Sequence, residues 1–429
     1  MRVLTWSQLN PEQRRAALAR PVLSGDAALA QNVAAIVCDV KARGDEALRE
    51  YSAKFDGGAG ANFRVAPDTA VEAAKRLDPN LLAAMEQAKT NIVKFHEAER
   101  PHALKLDTMP GVTCELQWRT LETVGLYIPG GTAPLLSTVL MLAIPARIAG
   151  CRRIILCTPA KGGVIHPAVL AAANLCGITE IFAVGGAQAI AAMAYGTATI
   201  PKCDKIFGPG NAYVTEAKQQ VAQDSGGAAI DMPAGPSEVM VVADAAARAD
   251  WVAADLLAQA EHDTAAQAIL VTTDAALPSR VQAEVQKQLA GLSRRDIATK
   301  SLEQSRIIVV PDRAAAIEVA NAYAPEHLII HNEDAADWVA EIRHAGSVFV
   351  GALTPESAGD YASGTNHVLP TYGYARAYNG VNLLSFMKSM TVQTISREGL
   401  NGLGATIIAM AEAEGLDAHA AAVKVRLGG

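Results

Sequence analysis

Apolar positions in the first hundred residues recur at helical spacing. Asn10 stands where it can cap a short helix with Pro11 at its first position. Residues 26–41, 45–55 and 77–99 continue the pattern, with Gly44 separating the first two and Pro79 near the start of the third. His96 and His102 flank a charged helix end, where a solvated or capping role is expected. From about residue 110 the period changes: Val112, Cys114, Leu116 and Trp118 alternate with polar residues, as in a half-buried strand. Between about 123 and 240 the runs "VGLYIPGG", "RIILCTP", "EIFAVGG" and "KIFGPGN" each precede a helical stretch. A second series, "SEVMVVAD", "QAILVTT", "RIIVV", "HLIIH" and "SVFVG", fills residues 237–350 in the same way. Strands alternating with helices predict parallel sheets covered by helices, here in two α/β domains. Ligands of such sheets sit beyond the carboxyl ends of the strands. The chain from about 380 to its end reads as a separate helical segment with no third sheet.

Composition narrows this picture. At roughly 150 residues per domain, the 429 residues allow two to four domains. Half of them are hydrophobic and only 19% are charged, which excludes a disordered chain. The balance of 37 basic against 44 acidic residues gives a net charge of −7 and argues against nucleic-acid partners. Residues 123–146 and 181–201 are uncharged and long enough to span a bilayer, for which about 20 residues suffice. Pro129, Gly130, Gly131, Pro134 and Pro145 interrupt the first, and Gly185, Gly186 and Gly196 the second. Such breaks would leave backbone groups unsatisfied in lipid, so both stretches read as strand, glycine turn and buried helix. The first residues lack an apolar signal core, and the six cysteines show no zinc or CxxC spacing. A cytoplasmic protein with reduced, mostly buried thiols and no membrane partner is expected.

The fingerprint GxGxxG is absent. Glycine turns stand at strand ends instead: Gly130-Gly131, Gly185-Gly186 and Gly208-Pro209-Gly210-Asn211. They suit a nucleotide whose anionic groups meet a helix N-terminus, although tight strand-to-helix turns need glycine for their own sake. Gln259 and His262, three apart in "LLAQAEHDT", share a helix face. "YAPEHLII" adds Glu326 and His327 before an apolar run. "PESAGDYASGTNH" adds Glu356, Asp360 and His367 in what reads as a glycine-rich loop, ill suited to burial. "EGLDAHAAAV" adds Glu414 and His419. Histidine, carboxylate and amide groups could form a metal or acid–base site, while each alone could equally be a packed or capping residue.

Eight ordered segments carry a resemblance that covers nearly the whole chain: "VGLYIPGG", "FGPGNAYVTEAK", "DMPAGPSE", "AQAEHD", "PEHLII", "GSVFVG", "ESAGDYASGTNHVLPT" and "EGLDAHA". In these the chain resembles the histidinol dehydrogenase family, whose members oxidise L-histidinol to L-histidine in two NAD-dependent steps, using zinc. The resemblance implies Gln259, His262, Asp360 and His419 as ligands of one Zn2+ per subunit, and Glu326 and His327 as the acid–base pair. It implies Ser237 and Glu414 as substrate contacts, together with His327 and the four metal ligands. Tyr127, Gln188 and Asn211 become NAD contacts, and His367 takes a supporting role near the substrate. It further implies two related Rossmann-like domains and a homodimer in which Glu414 and His419 reach the partner's site. The expected partition is a helical arm (1–24), a substrate and metal domain in two parts (25–122 and 237–378), an inserted NAD domain (123–236) and a helical dimerisation segment (379–429). A cysteine thiohemiacetal is the less favoured route for the aldehyde. A dehydrogenase of another small alcohol, a zinc hydrolase using Glu326, and a non-catalytic nucleotide-binding protein are the competing readings.

Overall fold

The computed structural model describes residues 1–21, 27–56, 63–130 and 134–428. Asp26 and Gly131 therefore lie outside the described residues. Strands Thr123–Tyr127, Arg153–Thr158, Glu180–Ala183, Lys205–Phe207 and Ala229–Ile230 form a five-stranded sheet. Every pair in it is parallel, and in space the third strand comes first, then the second, first, fourth and fifth. Helices Leu136–Ala149, Pro167–Leu175, Gly186–Tyr195 and Ala212–Gln223 connect these strands. The long uncharged stretches become strand, turn and helix, and Leu136–Ala149 is buried along most of its length. Among the described residues no helix is long and apolar enough to cross a membrane.

The second sheet repeats that order. Glu238–Ala243, Gln267–Thr272, Arg306–Val309, His327–His331 and Ser347–Val350 are its first to fifth strands, all parallel. Glu238–Ala243 is buried at every position, so it reads as a continuous apolar run rather than an alternation. The fold class is thus two α/β units of one topology.

Four expectations need correction. Residues 387–395 are not helical: Met387–Ile395 pairs antiparallel with Val112–Thr120, which pairs with Leu104–Met109, making a third sheet. Met387–Ile395 is exposed along most of its length, so it has no buried face to give a readable alternation. The N-terminal segment is more than a helical arm, because Arg2–Thr5 adds a parallel edge strand beside Arg306–Val309. Residues 27–98 were expected to join the metal domain, but their helices cover the five-stranded sheet. Val33, Val37, Val40 and Leu48 pack in one core with Ile190 and Val214, and Met85, Ala88 and Ile92 in another with Leu140 and Ile144. His96 is fully buried rather than solvated, its Nδ1 lying 2.9 Å from the Ile92 carbonyl oxygen.

Candidate active site

The two sheets meet the same pocket with opposite ends. From the carboxyl end of Lys205–Phe207 come Gly208, Pro209 and Gly210; from the amino ends of Glu238–Ala243 and His327–His331 come Ser237, Glu326 and His327. Helix Ala249–Ala260 runs back along its sheet and delivers Gln259 on its last turn, with His262 two residues beyond its end. Glu356 and Asp360 were expected on a loop; they lie instead on the short helix Glu356–Tyr361, where a spacing of four puts them on one face. Gly359 lets that helix approach the sheet, since a Cβ there would stand 2.7 Å from the Phe349 ring. Glu356 is consequently only 1% exposed.

His327 is surrounded by carboxylates. Its Nδ1 lies 3.6 Å from Glu326 Oε2 and 3.8 Å from Glu356 Oε1, and its Nε2 lies 3.4 Å from Asp360 Oδ1. The last is an ion-pair distance without a close hydrogen bond, because Nε2 has no hydrogen-bond partner among the described residues. Burial pulls the imidazolium down, but Glu356, Glu326 and Asp360 together push it up to about 10. Burial pushes Glu326 up to about 8 against the opposing pull of His327. Burial drives Glu356 in the same direction, whereas for Asp360 the burial effect is outweighed by His327 and the carboxyl falls below its ordinary range. Crowding by protein atoms lowers His262 even though its ring is exposed at the pocket, so a ligand can still reach it.

Among the described residues, several of these groups find no hydrogen-bond partner. Gln259 is fully buried with neither amide atom hydrogen-bonded, and both oxygens of Glu356 are likewise unpaired. Ligand atoms of His262, Glu356 and Asp360 lie within 4.8 Å of one another. Buried polar groups left open in this way are costly unless something completes them, and this donor set suits a cation. His367 is committed elsewhere: Nδ1 lies 2.8 Å from the Asp360 carbonyl oxygen and Nε2 lies 3.1 Å from Thr138 Oγ1. It thereby ties the helix of Asp360 to the helix behind the first sheet.

The expected cofactor contacts stand behind the glycine turns and do not line the pocket. The Tyr127 hydroxyl accepts the Gly186 N–H at 3.0 Å, and Asn211 Oδ1 accepts the Val214 N–H as cap of Ala212–Gln223. Gln188 is buried with Nε2 unpartnered. The sequence reading missed Lys218 and Asp231, which pair with each other in the pocket wall. Lys218 Nζ donates to the Gly208 carbonyl at 2.8 Å and Asp231 Oδ2 accepts the Gly208 N–H at 2.8 Å, so one ion pair holds the peptide groups on both sides of Gly208. Both stand in segments already singled out, Lys218 at the end of "FGPGNAYVTEAK" and Asp231 at the start of "DMPAGPSE", and neither motif shows that the two would pair. Glu414 and His419 are exposed beside and on helix Asp417–Leu427 and are not brought to this pocket. No cysteine lines it either, and burial pushes the Cys151 and Cys176 thiols up to about 12. Neither is a ready thiolate.

Known proteins resemble this chain over its full length. The family model described as histidinol dehydrogenase matches residues 20–427. A histidinol dehydrogenase of Vibrio parahaemolyticus is 52% identical over 427 residues, covering 100% of this chain and 98% of the relative. One from Xanthomonas campestris pv. campestris is 53% identical over 429 residues, covering 100% and 99%. The crystal structure of histidinol dehydrogenase from Elizabethkingia anophelis superposes with a TM-score of 0.95 at 48% identity, covering 100% of this chain and 98% of that one. An acetylating aldehyde dehydrogenase from Geobacillus thermoglucosidasius shares the fold alone, with a TM-score of 0.50 and 15% identity over 88% of this chain and 99% of that one.

Proposed function

The chain belongs to the histidinol dehydrogenase family and is an oxidoreductase of histidine biosynthesis; on that premise we propose that it oxidises L-histidinol to L-histidine in two NAD-dependent steps through a retained aldehyde. One observation carries the reading: the metal-type cluster His262, Glu356 and Asp360, with the unpaired Gln259 in the same pocket, stands with Glu326 and His327 in a pocket whose other wall is the Gly208 turn. The donors fit zinc, which takes imidazole nitrogen and carboxylate or amide oxygen. Gln259, His262 and Asp360 would hold the ion, with His419 of the partner subunit as the fourth ligand in a cytoplasmic homodimer. Bound there, zinc would position the amine and imidazole nitrogens of histidinol and offset the carboxylate charge of Glu356, Glu326 and Asp360 that raises His327. The Gly208 turn, backed by Tyr127, Gln188 and Asn211, would hold NAD, which would supply the acceptor for each hydride.

The protein's own residues do the proton work. His327 takes the alcohol proton as hydride leaves the carbinol carbon. Glu326 then removes a proton from the water that attacks the aldehyde, and the second hydride leaves the hydrated carbon to give the carboxylate. Ser237 lies at the pocket wall, where it can orient the substrate, and Glu414 of the partner subunit closes the far side. Enclosure matters because a free aldehyde would be lost to side reactions.

Half-reactions test these roles. Glu326→Gln should spare alcohol oxidation and depress aldehyde oxidation by roughly 10²- to 10⁴-fold, the usual worth of a general base. Equal losses in both would remove the water-activating role. His327→Asn should depress both steps. Wild-type enzyme should form two NADH per histidinol and lose turnover on complete chelation, and activity that survives chelation would reject zinc. Mixing inactive His262→Ala and His419→Ala subunits should restore activity if dimers exchange; no recovery despite proven exchange would refute the shared site.

A further inference from the structure

We propose that the buried Arg20–Glu238 ion pair, outside the pocket, positions the acid–base pair Glu326 and His327. The inference rests on the reading of those two residues given above. Glu238 opens the central strand of the second sheet, and its peptide is the common reference for both. Its N–H donates to Glu326 Oε2 at 2.9 Å, and its carbonyl oxygen lies 3.3 Å from His327 Nδ1. The Glu238 side chain is anchored separately. Arg20 Nε and Nη2 reach its two oxygens at 2.5 and 2.7 Å, and the Tyr323 hydroxyl adds a bond of 2.9 Å. The pair is nearly closed to water, with side-chain exposures of 14% for Arg20 and 2% for Glu238.

The same guanidinium grips a second segment. Arg20 Nη2 donates to the Tyr323 carbonyl at 2.8 Å and to the Ala324 carbonyl at 3.3 Å, and its carbon stands 3.9 Å from the Tyr323 ring centre. Tyr323 ends helix Arg313–Tyr323, and Ala324 turns the chain in the left-handed region with φ 54°. Two residues later the chain delivers Glu326. One planar fork therefore fixes the strand start that receives the acid–base pair and the turn that presents it. Lysine, a point charge with flexible reach, cannot hold both geometries at once.

Arg20→Met tests this, with Arg20→Lys as the conservative rescue. Steady-state kinetics and zinc content are measured on the metal-loaded protein, below the melting temperature of each variant. Displacing reacting groups by about 1 Å costs on the order of 10²-fold. Arg20→Met should therefore lower kcat roughly 10- to 100-fold, with KM for histidinol and for NAD within about twofold of wild type and zinc content unchanged. Arg20→Lys should fall between. If Arg20→Met does not fold, Glu238→Gln, nearly isosteric and able to keep the Tyr323 bond, carries the same expectation. Wild-type kcat in a folded variant would overturn the proposal, as would a kcat loss matched by equal losses of NAD affinity and zinc. Glu326→Gln and His327→Asn measured alongside separate the two claims. If both keep full kcat, the acid–base reading itself has failed; if both are impaired while Arg20→Met is not, only the positioning role has.

Discussion

The two parallel sheets share one strand order and are used from opposite ends. Helices that follow parallel strands run back along the sheet, so their N-termini stand at the strand carboxyl ends and their C-termini at the amino ends. At the first sheet the pocket meets the carboxyl end, where Gly208 follows its strand and Ala212–Gln223 begins. That end carries free N–H groups and partial positive charge, and suits an anionic cofactor. At the second sheet the pocket meets the amino end, where Ala249–Ala260 and Arg313–Tyr323 finish beside His262 and His327. Helix C-termini carry partial negative charge, which favours a cation and a protonated imidazole. One topology, turned around, therefore supplies walls of opposite polarity. The unused carboxyl end of the second sheet is closed by its own sequence: Asp244 accepts the Ala246 N–H at 2.9 Å and the Glu333 N–H at 3.2 Å, leaving a fixed carboxylate where a ligand anion would sit.

The harshest way to break this division is to disarm the cation-favouring wall alone. His262→Ala or Asp360→Ala should reduce turnover by roughly 10³-fold or more, since several kcal/mol of stabilisation are lost with a metal template. Metal analysis should show zinc lost, while NAD binding, followed by fluorescence titration, should stay within twofold. A parallel loss of NAD affinity would mean that the walls are not separate. The converse change neutralises the clamp on Gly208. Lys218→Met combined with Asp231→Asn removes both charges and leaves the Gly208 carbonyl without its lysine, so no unpaired ion remains buried. Losing a hydrogen bond to a charged group costs about 1.5–3 kcal/mol, which corresponds to KM for NAD raised roughly tenfold or more. KM for histidinol should be unchanged; a rise in it would contradict the assignment of that wall.

How much of this was legible beforehand follows the same physics. The apolar runs of both sheets and the glycine turns were readable because buried parallel strands leave a continuous signature. Gln259 and His262 were read as sharing a helix face; Gln259 does lie on the last turn of Ala249–Ala260, but His262 stands two residues beyond its end. Glu356 was misplaced on a loop: glycines around a six-residue helix mask its periodicity. The exposed strand Met387–Ile395 carries no burial pattern at all. Arg20 and Glu238 are 218 positions apart, and charged residues in a sequence read as solvated until a fold brings them together. The amino-end position of Glu326 and His327 was readable, since they stand directly before the apolar run "HLIIH"; that the pocket meets this sheet at its amino end was not, because the carboxyl-end rule applies to only one of the two sheets.

A smaller effect comes from pH. Glu326 holds its proton up to about 8 because it is buried, so its base form accumulates as pH rises through that value. Aldehyde oxidation in wild type should climb between about pH 7 and 9, and the climb should vanish in Glu326→Gln. The stability sign runs the other way. The folded state binds this proton more tightly than the unfolded chain, so its contribution is present below the ordinary carboxyl value of 4.5 and is lost as pH rises through about 8. A flat pH dependence of the aldehyde step would remove Glu326 as its base.

The smallest expected effect probes the end of the second sheet that no ligand is assigned to. Asp244→Asn replaces a carboxylate bridging two backbone N–H groups with an amide that keeps one accepting oxygen. The lost hydrogen bond should cost about 1 kcal/mol of stability, visible as a slightly lower melting temperature. Because that carboxylate lies at the opposite end of the strands from the pocket, kcat and both KM values should stay within about twofold of wild type. If NAD binding weakened instead, the cofactor would have to reach the second sheet's carboxyl end, and the opposed-polarity account of the site would fail at its simplest point.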